Sequence, residues 1–280
     1  MKVLKIIFMI LLIILVADII YIMTGQKKES ILTDSVVLVK LEGVIFDSQE
    51  FIKAMDKYKV NHNVKAFIIQ INSPGGVIGP TQQIYRYIKD LKVPVYAAMD
   101  SVAASGGYYV AAACKKIYAL PGTITGSIGV MLQLSNFRQI LDKIGISFIT
   151  VKSGQFKDIG SPYRDISEEE KAILQETIDD LYSQFVNDIK DNRQLDNETL
   201  MKYADGRIFT GLKAEQIGFV DKIGTVEDAF NDLKVVLKNP NIKLHKHEKE
   251  KKIIEKIFNK LPFKLRSLAG DEKFYYIYSL

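Results

Sequence analysis

Short apolar runs of strand length alternate with helical stretches between residues 35 and 151, and this alternation narrows the possible folds most. Residues 35–41 (SVVLVKL), 64–71 (VKAFIIQI), 93–99 (VPVYAAM), 117–120 and 146–151 read as strands. Helices are predicted near 48–59, over 80–91, over 108–113 and near 136–144, with 100–107 as a small-residue turn. Strands that alternate with helices imply an α/β domain with a mostly parallel sheet. The βα units share no sequence repeat, which argues against a solenoid. Further along, Ser167-Glu168-Glu169-Glu170 has the form of a capping box that opens a long helix to about Lys190. Thr210-Gly211 and Thr225 look like the starts of two shorter helices.

The ends of the chain differ from its middle. Lys2 and Lys5 precede an apolar run, residues 6–23, which only Asp18 interrupts. Eighteen residues at ~1.5 Å each span ~27 Å, nearly the thickness of a hydrocarbon core. A mid-span aspartate costs ~2.5–3.5 kcal/mol, but Asp18 falls late in the run, towards the interface. No A-x-A site follows, so residues 1–25 are expected to be an uncleaved membrane anchor rather than a signal peptide. Lys27 and Lys28 flank the far end, so charge alone does not set its orientation. Residues 26–34 read as a polar linker, 35–237 as the main domain and 238–280 as a Lys-rich tail. In the tail, Ile253, Ile254, Ile257, Phe258 and Leu261 share one helical face, and Pro262 ends it. Such a segment suits anionic lipid, or packing on the domain or on a neighbouring subunit. Net charge is +5, but residues 243–266 alone carry +6. The body is therefore near neutral and offers no basic face to nucleic acid. The single cysteine, Cys114, excludes an intrachain disulfide and any multi-cysteine metal site.

Three glycine-bearing loops follow predicted strands, where open parallel sheets place their sites. They are residues 72–76 (NSPGG), 103–109 (AASGGYY) and 123–129 (TITGSIG). None matches a dinucleotide fingerprint or a phosphate-binding P-loop. Ser105 suits an acyl-transfer nucleophile, because a turn of small residues at a helix start leaves N–H groups free for an oxyanion. A serine needs a base, and the chain has only His62, His245 and His247. The first lies in a polar link, and the other two, a weak metal signal as His-x-His, lie in the tail. Lysine remains, and a lysine base works only when its pKa falls from about 10.4 towards about 7–8. Lys157 sits in a Gly- and Ser-rich loop after a predicted strand (SGQFKDIGSP, 153–162), although spacing alone does not choose among the lysines. Ser73 and Ser127 read as loop-shaping residues. Tyr108 and Tyr109 read as packing, and Cys114 as a small buried residue on the Ser105 helix. Asp158 and Ser161 either orient Lys157 or are ordinary exposed loop polarity.

The segments NSPGG (72–76), ASGGYY (104–109), TITGSIGV (123–130), SGQFKDIGSP (153–162) and GRIFTG (206–211), with Ala214, Gly218 and Asp221, run in collinear order. Together they resemble the signal peptide peptidase A family of serine proteases over roughly residues 36–230. The resemblance implies a crotonase/ClpP-like spiral α/β fold over the protease domain, 35–237, behind the N-terminal transmembrane helix. It implies a Ser–Lys dyad with no cofactor and no metal. Carried over by position, Ser105 is the nucleophile and Lys157, 52 positions later, is the base. Gly76 and Gly106 supply the oxyanion N–H groups. One set of motifs marks the short type, which implies a ring-like homo-oligomer whose dyad is completed between neighbours. The implied partners are cleaved signal peptides and membrane lipid, with the protease domain outside the cytoplasm. Three alternatives stand beside this one. They are a broader membrane-protein quality-control protease on the same dyad, a crotonase-fold acyl-CoA hydratase or thioesterase, and an inactive scaffold. The acyl-CoA enzyme would place carboxylates near the glycine loops.

Overall fold

Strand β1 (Ser35–Glu42) is buried on both sides, and the reason lies in its apolar sequence, VVLV. Val37 and Val39 face one layer, while Val36 and Leu38 face the other. β2 (Val64–Ser73) and β3 (Val95–Ala104) continue the sheet in parallel. On the first face lie α1 (Gln49–Lys59), α2 (Ile78–Lys89) and α3 (Gly106–Ala112), with Met55, Ile84 and Tyr108 buried against Phe67, Ile69 and Met99. The computed structural model describes Met9 and residues 31–193 and 195–248. Within it, Ile31–His247 forms one compact unit.

The sheet is mixed. It gains β4 (Lys116–Ala119), β5 (Ile124–Gly126), β6 (Ile208–Thr210), β7 (Lys222–Ile223) and β8 (Lys243–Lys246). The order is β6-β5-β3-β2-β1-β8, with β4 and β7 branching from β3, and only β5–β6 is antiparallel. α4 (Arg138–Lys143), α5 (Glu168–Asn192), α6 (Asn197–Tyr203), α7 (Gly211–Gln216) and α8 (Val226–Val236) complete the described helices. α5 opens on the predicted capping box: Glu170 N donates to Ser167 Oγ at 3.2 Å, and Ser167 N donates to the Glu170 carboxylate at 2.9 Å. Its far end buries Phe185, Val186 and Ile189 in the first core layer. α7 and α8 begin at Thr210 and Thr225, whose hydroxyls accept from the first-turn amides of Lys213 and Asp228. α8 covers the second face, with Phe230 and Leu233 against Ile68 and Tyr118.

β3 positions the site. Its first half pairs with β4, Tyr96 opposite Lys116, and its second half pairs with β5, Val102 opposite Ile124. The sheet therefore forks along one strand. The predicted turn over 100–107 is largely strand instead, because Thr123 and Thr125 pin β5 to it. Their hydroxyls donate to Asp100 O at 2.6 Å and to Ala103 O at 2.7 Å. The helix then begins two residues earlier than predicted, at Gly106.

Two further expectations change. Residues 146–151 form no strand. No neighbouring strand takes their backbone groups among the described residues, and the Ile149 and Val151 side chains are more than nine-tenths exposed. The region assigned to the tail contributes the edge strand β8, because Ile242 and Leu244 pack on the second core layer while the alternate Lys243 faces solvent. Among the described residues no helix is long and apolar enough to cross a membrane. The expected anchor, residues 1–25, and the tail helix, 253–261, lie outside the described residues apart from Met9.

Tyr108 is fully buried, and its hydroxyl donates to Phe219 O at 2.9 Å. Tyr108→Phe keeps the ring but leaves that carbonyl unpaired, at a cost of about 1–3 kcal/mol. Urea unfolding of the Tyr108→Phe variant should show that loss of stability, with the folded fraction keeping its catalytic rate; an unchanged midpoint would mean the bond adds nothing.

Candidate active site

Ser105 occupies the single residue between β3 and α3, with φ 51° and ψ −121°. A side-chain-bearing residue at positive φ costs about 1–3 kcal/mol and persists only where its surroundings over-determine it. Here they do so. Ser105 N donates to Gly126 O at 2.8 Å, and Tyr109 N donates to Ser105 O at 2.9 Å. The NSPGG loop packs directly beneath. A β-carbon on Gly75 would come within 2.6 Å of Gly106 N and 2.9 Å of Ser105 Cβ. One on Gly107 would meet Ser73 O at 2.5 Å. Gly75 and Gly107 are thus explained by one contact, the approach of two backbones behind a serine.

That approach brings two amides together. Gly76 forms a parallel bridge with Ile45. Ile45 N donates to Gly75 O and Val77 N donates to Ile45 O, so the Gly76 N–H points away from Ile45. A β-carbon on Gly106 would lie 3.2 Å from Gly76 N, so the two residues are neighbours. Among the described residues neither the Gly76 nor the Gly106 amide has an acceptor. Gly106 opens α3, where N–H groups are unpaired and a developing negative charge is favoured, and Gly76 lies just before Val77, the N-cap of α2.

A cavity of about 430 Å³ opens in front of Ser105. Gly76, Gly106, Thr81 and Ser127 form its polar side, while Ile78, Val130, Met131, Leu181 and Phe185 form its apolar side. Leu181 and Phe185, one turn apart on α5, went unnoticed in the sequence; their i, i+4 spacing in the predicted helix is the signal that could have found them. Among the described residues no carboxylate lines the cavity, unlike the site expected of an acyl-CoA enzyme. Among the described residues the only ionisable group on its wall is the Tyr109 phenol. That phenol donates to Asp188, and burial, with the carboxylate beside it, raises its pKa far above neutrality. It cannot act as a base there.

None of the three histidines lines the cavity. His62 is exposed between α1 and β2. His245 and His247 lie at the β8 edge beside Tyr58, with β1 and β2 between them and β3. Cys114 is buried just beyond α3, and burial pushes its thiol far above the usual range. A thiolate nucleophile is excluded at that position.

Lys157 is exposed in a run of turns and does not line the Ser105 cavity. Within one chain, therefore, the structure brings Ser105, Gly76 and Gly106 together and leaves Lys157 apart. The loop around Lys157 is nonetheless ordered by charge. Asp158 is held by Lys152 and Arg164, and Arg164 also pairs with Glu170 at the start of α5. Arg164, then Lys152, keeps the Asp158 carboxyl well below the ordinary carboxylate range, and Arg164 does the same for Glu170. Ser161 only closes a local turn, its oxygen facing Tyr163 N at 3.4 Å.

A serine on a strained strand-to-helix turn, beside two free amides and an apolar cleft, has the form of a serine hydrolase site on a mixed α/β sheet. Comparison with known proteins gives the family. The model for peptidase family S49 matches residues 88–239, more than half of the chain, and the chain belongs to that family. A Clp protease model matches residues 18–128. A Synechocystis sp. protein named as a protease, slr0021, is 48% identical over 166 residues, 59% of this chain and 60% of its own length. An Enterococcus faecium protein named for signal peptide peptidase SppA is 40% identical over 192 residues, 68% of this chain and 56% of its own length. Protease 4 of Haemophilus influenzae is 30% identical over 210 residues, 71% of this chain and 34% of its own length. The matched stretches therefore span less than two thirds of these relatives. A solved structure, a serine-to-alanine mutant of the 1510-N membrane-bound stomatin-specific protease, superposes with a TM-score of 0.53 at 16% identity. It covers 79% of this chain and all of its own, and it shows the same fold.

A β-carbon on Gly76 would sit 2.2 Å from Ile45 O, so alanine there must displace a backbone segment that lines the Ser105 cavity. Gly76→Ala should lower kcat for peptide hydrolysis about 100-fold or more, as loss of one oxyanion donor does. Gly79→Ala is the control, because nothing lies within 4 Å of its β-carbon. Equal rates for Gly76→Ala and wild type would remove Gly76 from the site.

Proposed function

We propose that this chain is a membrane-anchored serine endopeptidase that degrades signal peptides left after preprotein cleavage. Ser105 Oγ attacks the scissile carbonyl of an extended peptide, and Lys157 Nζ, in its neutral form, takes the hydroxyl proton. The carbonyl oxygen becomes an oxyanion held by the Gly76 and Gly106 N–H groups. As the tetrahedral intermediate collapses, the C–N bond breaks and the lysine proton passes to the departing amine. Water then attacks the ester at Ser105 with Lys157 again as base, which releases the acid and restores the serine hydroxyl.

One observation carries this reading and extends it: the Ser105 cavity is lined by Gly76, Gly106 and apolar side chains, and among the described residues no histidine, lysine or carboxylate lines it. The base must come from outside that wall. Lys157 lies on an arm, residues 131–163, whose only helix, α4, buries nothing. Met131, Ile149 and Val151 are left almost fully exposed on it. Apolar side chains in that number suit a contact with a second copy of the chain. In a closed ring each arm would carry Lys157 to the next subunit's Ser105, which agrees with the assembly that the sequence resemblance implies. The apolar wall suits the hydrophobic stretch of a signal peptide. The run at residues 6–23 supports anchoring, and placement of the protease domain outside the cytoplasm follows the sequence resemblance alone.

Ser105→Ala and Lys157→Ala should each abolish hydrolysis of a synthetic signal peptide without unfolding the protein. Lys157→Arg should stay inactive, since a guanidinium is no base near neutral pH. Co-expression of the two alanine variants should restore about a quarter of the sites in randomly mixed rings, each site needing one subunit of either kind. Mixed oligomers that remain inactive would show that the dyad is not shared between subunits.

A further inference from the structure

We propose that Arg164 is a positioning residue for Lys157, clamping the base-bearing loop to the N-terminus of α5. The proposal rests on Lys157 being the base. The loop lies on the exposed arm, where apolar packing does little to fix it. What fixes it is a fork. Arg164 Nε donates to Asp158 Oδ2 at 2.8 Å, and Arg164 Nη2 donates to Asp158 Oδ1 at 2.9 Å and to Asp158 O at 3.2 Å. The other side of the same guanidinium reaches Glu170, Nη1 to Oε2 at 2.8 Å and Nη2 to Oε1 at 2.5 Å.

The two carboxylates sit at the two ends of the problem. Asp158 adjoins Lys157 in the chain and is 15% exposed. Glu170 is 4% exposed and already closes the capping box with Ser167, so it belongs to the rigid end of α5. α5 in turn is seated in the core through Phe185, Val186 and Ile189, and it supplies Leu181 and Phe185 to the cavity wall. Arg164 therefore ties the backbone next to Lys157 to a helix anchored in its own subunit's core, which fixes the height and direction at which the loop presents the base to a neighbouring subunit. Lys152 adds a second cation on Asp158, and Gln155 Nε2 donates to Glu169 at 3.1 Å, but neither spans to a buried carboxylate. Only a planar five-donor group can hold both carboxylates at once, so lysine is no substitute.

The test uses the full chain in detergent or membranes with a fluorogenic peptide. Displacement of a base by about 1 Å can cost 100-fold in rate, so Arg164→Lys should lower kcat about 10-fold or more. KM should stay within about twofold, because the cavity that binds the peptide is untouched. Asp158→Asn, which cuts the clamp at the loop end and spares the Arg164–Glu170 pair, should show the same split. A kcat within twofold of wild type in both variants would overturn the proposal. So would a joint change in kcat and KM with a lowered melting temperature, the mark of a merely structural role. Lys157→Ala runs alongside. If it keeps wild-type turnover, the assignment of Lys157 as base has failed; if it is inactive while the clamp variants are normal, the clamp alone has failed.

Discussion

The site depends on the hydrogen bond from Ser105 N to Gly126 O and on the strand fork that makes it possible. β3 leaves β4 halfway along and takes up β5, and the Thr123 and Thr125 hydroxyls fasten the new pairing to backbone carbonyls. With its amide committed to Gly126, Ser105 is held at positive φ and the chain must turn sharply into α3. Its hydroxyl is then presented at the cavity instead of within the sheet. The same geometry requires glycine at 75, 76 and 107, since each would otherwise drive a β-carbon into a neighbouring backbone. Strain of this kind is tolerated because it is spread over a fully buried helix: every residue of α3 is buried.

On the proposed mechanism, half of the chemistry lies on that core and half on an arm of opposite character. Gly106 and Phe185 come from helices seated in the core, while Met131 in the cavity lining already belongs to the arm. Lys157 comes from a segment that exposes its apolar residues and takes its order from Asp158, Arg164 and Glu170. Such a division makes sense for a protease. A complete dyad in an isolated subunit would be free to attack any chain it met, whereas a dyad shared as proposed would act only in the assembled form.

Much of this was legible from the residues. Continuous apolar runs such as VVLV and FIIQI announced strands covered on both faces, and S-x-x-E announced the start of α5 to the residue. Ser105 stood out because small residues around a serine have few other uses. The failures have physical causes too. Residues 146–151 look like a strand by composition, but pairing requires a neighbour, and composition says nothing of neighbours. β5 to β8 are two to four residues long, too short for a period-2 pattern. The fork on Arg164 is invisible in sequence because Asp158 and Glu170 are each six residues away and look like ordinary surface charge.

The central claim is that Ser105 is the nucleophile of a serine hydrolase site. Treating the assembled protein with a fluorophosphonate and mapping the adduct by peptide mass spectrometry tests it most directly. The account predicts one stoichiometric adduct, on the peptide containing Ser105, that fails to form once the protein is unfolded. An adduct on Ser73 or Ser127 instead, or none at any serine, would contradict it.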